Sequence, residues 1–471
     1  MRTIFRLSAL AAATLVLAGC ASVSIDQAIQ DANETTHAFT EGKLALSRTE
    51  QQRQARSKLT EELLTKPLTM NDAVQLALTN SPAVQTLLAQ SWSDLALANQ
   101  RGRIANPVFM FERLQFGNAL ELNRLLSFGL LDILLLPQRQ IISRGQTAQA
   151  KVQLSANVVE QVTQVRQGWV RAVAAQQTLQ YAEQVNRTAQ ASAELAKRMQ
   201  QVGNFTKLQR LRQQVFYADA AAQLASAQHA STAAREELIR QLGLNDAQAV
   251  QLQLPERLPD LPKEPRQAGV VTAHAAQQRL DVQIARTQLE IAGESQGLNL
   301  VNSFVDVELG VRRDTVFDNA AGTKTARTGF ELGIRLPLFD WGTAQREAMN
   351  AQTLAAANRY ESTVRGASSQ LRESYFAYRT AYDIARHYQD EIVPLRKTMA
   401  EENMLRYNGM LIGVFELLAD TRDQISGVMA AINSYQQFWL ADAALAASMT
   451  GKPTTMVAAP MAAGSKSPAG H

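Results

Sequence analysis

The chain is written twice, and that repetition constrains its fold more than any single motif. Val165-Arg166-Gln167-Gly168-Trp169 lies over Leu371-Arg372-Glu373-Ser374-Tyr375 at an offset of 206 residues. Val202-Gly203-Asn204 and Asn408-Gly409-Met410 fall in the same register, as do Leu136-Pro137-Gln138-Arg139-Gln140 and Gly342-Thr343-Ala344-Gln345-Arg346. Between the copies, Leu254-Pro255-Glu256-Arg257-Leu258-Pro259-Asp260-Leu261-Pro262 is followed by Pro265. Proline has no N–H for a helix or a ladder, so this segment is expected to be an extended linker.

Each copy reads as one long helix running into a glycine and a shorter helix coming back. Val158, Val162, Val165 and Trp169 step by 4, 3 and 4, and Leu371, Tyr375, Tyr378, Tyr382 and Ala385 by 4, 3, 4 and 3. That spacing is a heptad seam between helices that wind around each other. Over 137–203 and 343–409 the long helices would each run roughly 100 Å, and the return helices over 208–242 and 414–449 about half that. Pro394 is expected to interrupt the second long helix. Composition agrees: 46% of residues are hydrophobic, but only 6% are aromatic and 19% charged, as narrow Ala- and Gln-rich seams require. An ordinary bundle core has the same spacing, but helices of this length favour an elongated coiled coil.

Strand-like segments precede each long helix. Phe304-Val305-Asp306-Val307-Glu308-Leu309-Gly310-Val311-Arg312 alternates strictly, and Phe330-Glu331-Leu332-Gly333-Ile334-Arg335-Leu336 sets Glu331 and Arg335 opposite its apolar side. Period two with one apolar and one charged face suits a barrel strand between lipid and a wet lumen, though a solvated hairpin shares it. The polar stretch 313–325 is expected to be the connecting loop. In the first copy, one strand opens at Asn106-Pro107-Val108-Phe109-Met110-Phe111 and ends near Phe116-Gly117-Asn118; the apolar run 125–136 is expected to be the second.

Arg2 and Arg6, the apolar run 7–17 and Leu17-Ala18-Gly19-Cys20 resemble a bacterial lipoprotein signal, which implies cleavage after residue 19 and lipid on the sole cysteine, Cys20. Ala21 and Ser22 are compatible with transfer to the outer membrane. Loss of residues 1–19 removes two arginines and lowers the formal net charge from +4 to +2, which gives no reason to expect nucleic acid. One cysteine also excludes a disulfide framework or a Cys-rich zinc site.

The order of these parts resembles the TolC-like outer-membrane efflux family over 68–451. Asn80-Ser81-Pro82, after the amphipathic Ala73-Val74-Gln75-Leu76-Ala77-Leu78, is similar to the family's opening helix and its stop. Ile334-Arg335-Leu336-Pro337-Leu338-Phe339-Asp340-Trp341-Gly342 is similar to its strand-to-helix exit, and Arg406-Tyr407-Asn408-Gly409 with Phe415-Glu416-Leu417-Leu418 to its second hairpin tip. The resemblance implies a mainly α fold with a membrane β-barrel. Duplicated coiled-coil hairpins would form a trimeric helical tunnel, and four strands per chain would build a twelve-stranded barrel. The strands independently require only that chains pool them: four cannot close a barrel whose smallest bacterial form has about eight, an open edge in hydrocarbon leaves backbone groups unpaired, and three chains would give twelve.

The expected layout is a signal peptide at 1–19, a lipid-anchored helical segment at 20–66, a first repeat at 67–250, a linker at 251–268, a second repeat at 269–451 and a disordered tail at 452–471. The expected function is an outer-membrane exit duct that conducts substrate passively. Its partners would be two further copies, a periplasmic adaptor, an inner-membrane efflux pump and outer-membrane lipid. A lipid-anchored periplasmic coiled-coil scaffold that never enters the membrane is the alternative. By the resemblance, Gly203, Asn204, Arg406, Tyr407 and Gly409 mark hairpin tips where adaptor hairpins dock, each glycine also serving as a helix cap. Glu416 and Asp420, four apart on one helix face, are candidates for an acidic ring at the aperture, with Lys207 and Arg210 as opposite-sign partners. A solvated helix face is the plain alternative. Wording near Asn106-Pro107 and at 415–418 is similar to the heavy-metal branch, whereas 136–139 departs from it, so metal, drug and other exported substrates stay open.

No enzyme is expected. His37, His229, His274, His387 and His471 are scattered, and Glu34-Thr35-Thr36-His37 lacks the second copy that a di-iron bundle needs. There is no nucleotide-binding glycine loop and no Cys–His nucleophile, so neither a metal nor a cofactor is expected.

Overall fold

The computed structural model describes residues 24–267, 269, 278–302, 306–318, 320–335, 338–339 and 341–451. Cys20, the expected signal and the expected tail lie outside them. The chain begins with α1 (Ile25–Thr40), α2 (Glu50–Leu63), α3 (Met70–Asn80) and α4 (Pro82–Arg101). The hairpin β1 (Val108–Phe116) and β2 (Ala119–Gly129) follows, then the short α5 (Leu130–Leu134), the 66-residue α6 (Leu136–Gln201), α7 (Lys207–Leu242) and α8 (Asp246–Gln251). The second repeat supplies α9 (Leu280–Asn302), β3 (Asp306–Asp318), β4 (Thr323–Arg335), α10 (Thr343–His387), a π turn (Tyr388–Ile392), α11 (Val393–Asn408) and α12 (Val414–Thr450).

These elements form two compact units, and neither unit is a repeat. One combines Leu88–Leu154 and Asp281–Arg365 with the N-terminal segment up to Ala32; the other combines Asn33–Leu87, Ser155–Leu280 and Gly366 onward.

The first unit holds one antiparallel sheet in the order β1-β2-β3-β4. All helix connections leave one end of the sheet, and both tight turns, with Gly117 at φ +56° and Gly322 at φ +64°, lie at the other. Two expectations are corrected here. The stretch 313–325 is not a loop: β3 continues to Asp318 and β4 starts at Thr323, because β2 pairs with β3 residue by residue as far as Ala119 opposite Asp318. A partner strand that satisfies every backbone group outweighs polar side chains. In the run 125–136, β2 stops at Gly129 and Leu130–Leu134 turns into a helix, with the Asp132 carboxylate 2.6 Å from Arg139 Nη1. An apolar run of that length does not by itself separate strand from buried helix.

The second unit carries the seams. Val158, Val162, Val165 and Trp169 are all buried, as are Leu371, Tyr378, Tyr382 and Ala385, so the heptad reading holds in both copies. The second long helix is interrupted as expected. Pro394 has no N–H to give, and just before it the Val393 N–H bonds five residues back to the Tyr388 carbonyl. The repeat recurs where each return helix ends on a left-handed glycine, Gly243 at φ +69° and Gly451 at φ +103°. A Cβ on Gly243 would stand 2.4 Å from Pro82 Cδ, and one on Gly451 2.4 Å from the Leu280 nitrogen. Asn80 seals the first of these joints by donating Nδ2 to the Leu242 and Gly243 carbonyls at 3.2 and 2.9 Å.

The proline segment has no regular structure, but it is a strap clamped to the helices. Leu252, Leu254, Leu258 and Leu261 are buried. Aromatic side chains of the second repeat replace the missing ladder: Trp439 Nε1 donates to the Pro259 carbonyl at 3.1 Å and the Tyr378 hydroxyl accepts from the Arg266 N–H at 3.1 Å. Arg266 also forks onto the Asp442 carboxylate at 3.0 and 3.2 Å. At the N-terminal side, Arg166 Nη2 donates to the Phe39 carbonyl at 2.7 Å beneath that residue's ring. Burial lowers its pKa from the ordinary arginine value, against the pull of Glu41 and Asp442.

Candidate functional site

Residues opposite each other in an antiparallel sheet share a face, so the register sorts the side chains. Phe109, Leu126, Val311 and Phe330 form one row; Phe128, Leu309 and Leu332 form the next, and Val307 and Ile334 another. Phe109, Leu126, Val311, Phe330, Leu332 and Ile334 are 45% to 83% exposed. The other face carries the acidic residues, alongside the exposed Val108, Met110, Leu114 and Phe116 of β1: Asn123 donates to Glu112 Oε2 at 3.1 Å, and Arg312 pairs with Asp314 at 2.9 Å. β1 and β4 are edge strands without a partner on their outer sides among the described residues. No helix among the described residues is long and apolar enough to cross a membrane.

The two hairpin tips, both in the second unit, are built alike with a one-residue slip. At the first, Gly203 takes φ +81° and the Asn204 N–H reaches back to the Met199 carbonyl at 2.9 Å. At the second, the left-handed residue is not Gly409, whose φ is −77°, but Met410 at +59°; the Leu411 N–H reaches the Arg406 carbonyl at 2.8 Å. Gly409 therefore caps α11, but the positive φ falls on the residue after it. Phe205 and Ile412 are the buried residues that follow each turn. Thr206 caps α7 through a capping box with Gln209, whereas its counterpart Gly413 caps α12 with no side chain. Asn204, Arg406, Tyr407, Gly409 and Met410 are all exposed.

Lys207 and Glu416 are exposed and Arg210 is half-buried, while Asp420 lies on α12 with its side chain outside the described set. Among the described side chains, Glu416 forms no ion pair with Lys207 or Arg210 within the chain. The return helices are tied instead by Arg422, a residue outside the expected set. Its Nη2 donates to the Arg212 carbonyl at 3.2 Å and its guanidinium stands 4.3 Å from the centre of the Phe216 ring. Desolvation lowers its pKa, opposed by Asp219. Arg422 is the one cation in the sequence of α12, which was the available signal. Tyr181, Phe216, Tyr217 and Ile425 pack there around buried Val185, Ala189 and Ala220. No group of three or more His, Cys, Asp or Glu suited to a metal exists among the described residues.

Residues 271–410 match the protein family described as Outer membrane efflux protein. No curated protein matches the sequence. Among solved structures, the chain is similar to a membrane protein from Pseudomonas aeruginosa, at 16% identity and TM-score 0.68 over 81% of this chain and 93% of that one. It is similar to the outer membrane protein VceC from Vibrio cholerae, at 16% identity and TM-score 0.67 over 81% and 96%. The open state of the Neisseria gonorrhoeae MtrE outer membrane channel aligns at 18% identity and TM-score 0.65 over 81% and 89%. At these identities the likeness is one of fold.

Proposed function

We propose that this chain, which has the fold of the TolC-like outer-membrane efflux channels and matches their family over residues 271–410, is the outer-membrane exit duct of a multipartite export system. The observation that carries the reading is the open sheet. Four strands with an exposed apolar face, an opposite face that collects the carboxylates and two edges free among the described residues are incomplete alone. In hydrocarbon each unpaired edge group is costly, and pairing β4 of one copy with β1 of the next removes every edge. Three copies give the twelve strands that close a barrel around a polar lumen.

Cys20 carries the lipid anchor. The exposed tips at Gly203–Asn204 and at Arg406, Tyr407 and Gly409 receive the hairpins of a periplasmic adaptor, which links the duct to an inner-membrane pump. The pump supplies the energy, since the sequence has no nucleotide-binding loop. Glu416 and Asp420 line the aperture, and Lys207 and Arg210 meet them across neighbouring copies.

The test is to isolate outer-membrane fractions and to reconstitute the purified protein in planar bilayers. Heat-modifiable trimers with discrete channel conductance are expected. A fully soluble, non-conducting protein after Cys20→Ala would instead identify a lipid-anchored scaffold.

A further inference from the structure

The charges of the sheet are sorted by face. Register places Arg113, Arg124, Arg313 and Lys324 on the same face as the apolar rows, and no Asp or Glu of the four strands falls on it. The opposite face carries Glu112, Glu121, Glu308, Asp314, Asp318 and Glu331 against Arg312 and Arg327 among side chains that are described. The formal charge is thus +4 on one face and −4 on the other.

The cations are also sorted along the strands. They occupy the rows of Arg313, Thr315 and Phe317, next to the two β-hairpins, whereas the rows of Val311, Leu309 and Val307 at the helix end are wholly apolar. None of the four meets a described carboxylate. Arg124 Nη1 reaches only the Thr315 hydroxyl at 3.4 Å, and the Lys324 ammonium lies 5.3 Å from the centre of the Phe317 ring. Phe111, Leu122, Phe317 and Ala326 are interleaved with them on the same face.

We propose that Arg113, Arg124, Arg313 and Lys324 form a binding surface for phosphate-bearing lipid headgroups in the membrane leaflet nearest the β-hairpins. The proposal rests on the reading that this sheet stands in the outer membrane. A cation facing lipid is unfavourable at bilayer depth and tolerated near the interface, and a phosphate partner removes the remaining penalty. Guanidinium groups fork onto phosphate oxygens, while the apolar residues between them lie against acyl chains. That mixture fits a phosphorylated lipid rather than free phosphate. A neighbouring copy engages the strand edges, so it leaves this face open to lipid.

Purified trimer in detergent is mixed with lipid A or with dioleoylphosphatidylcholine, and retained lipid is counted by native mass spectrometry. Wild type is expected to keep lipid A preferentially, and each of Arg113→Gln, Arg124→Gln, Arg313→Gln and Lys324→Gln to weaken retention about five-fold. The opposite-face pair Arg312→Gln with Arg327→Gln is expected to retain lipid A like wild type. No preference for lipid A in wild type, or equal retention by the single variants, overturns the proposal; the wild-type arm decides even if a variant fails to assemble. Carbonate resistance of the wild-type protein in membranes is scored separately. Its absence refutes the membrane-barrel reading, whereas insertion without lipid A preference refutes only the headgroup surface.

Discussion

The guanidinium of Arg422 lies over the ring of Phe216, 4.3 Å from its centroid, and joins the return helix of the second repeat to that of the first. A partly exposed cation–π contact of this kind contributes about 0.5–1 kcal/mol. Arg422→Ala is expected to loosen α12 from α7 and to raise single-channel conductance in planar bilayers, with Arg422→Lys recovering part of the wild-type value. Unchanged conductance and unchanged hydrogen exchange in α12 would show that this contact holds nothing shut.

The Tyr382 hydroxyl donates to the Pro262 and Lys263 carbonyls at 3.0 and 3.1 Å, where prolines leave few other donors. Tyr382→Phe should cost about 1 kcal/mol. Limited trypsin digestion is the check: cleavage after Lys263 and Arg266 should accelerate, and identical rates would mean that this hydroxyl does not hold the strap.

Left-handed backbone costs a non-glycine residue roughly 1–2 kcal/mol, part of which glycine returns as chain entropy. Met410→Gly should therefore stabilise the second tip by about 0.5–1 kcal/mol, and Gly203→Ala should destabilise the first by about 1 kcal/mol. Amide exchange at Leu411 and Asn204 reads both, with opposite signs expected.

Asn80 is buried and serves two carbonyls at the end of α7. Asn80→Ala leaves those acceptors unpaired at a cost of about 1–3 kcal/mol. Thermal unfolding of the detergent-solubilised protein should show the loss, and Asn80→Ala with wild-type stability would contradict the assigned joint.

The polar face of the sheet bears an excess of carboxylates, so a barrel built from it should prefer cations. Glu308→Gln with Glu331→Gln should move the reversal potential in a KCl gradient toward zero. An unchanged reversal potential would place this face outside the lumen.

Much of the architecture is legible from the chain. The 4-3 steps of Val158 to Trp169 and of Leu371 to Ala385 mark the buried seams, because a heptad repeat records which side of a helix loses contact with water. Alternation from Val307 to Val311 marks a strand at period two, because successive strand side chains point to opposite faces. Polar strand residues at 313–325 escape this logic, since their order comes from backbone pairing with β2 rather than from their own side chains. Arg422 escapes it too, because its partners Phe216 and the Arg212 carbonyl are some two hundred residues away.

The amino-acid sequence alone determines the duplication, the helical seams and the alternating strands, because each is a pattern of residue types along the chain. Tertiary structure decides which residue turns each tip, how the proline strap is held and which charges share a face. Met410 rather than Gly409 is left-handed because the second hairpin closes one residue later. The separation of Arg113, Arg124, Arg313 and Lys324 from six carboxylates exists only in the observed register, since a slip of one residue would move every side chain of a strand to the other face.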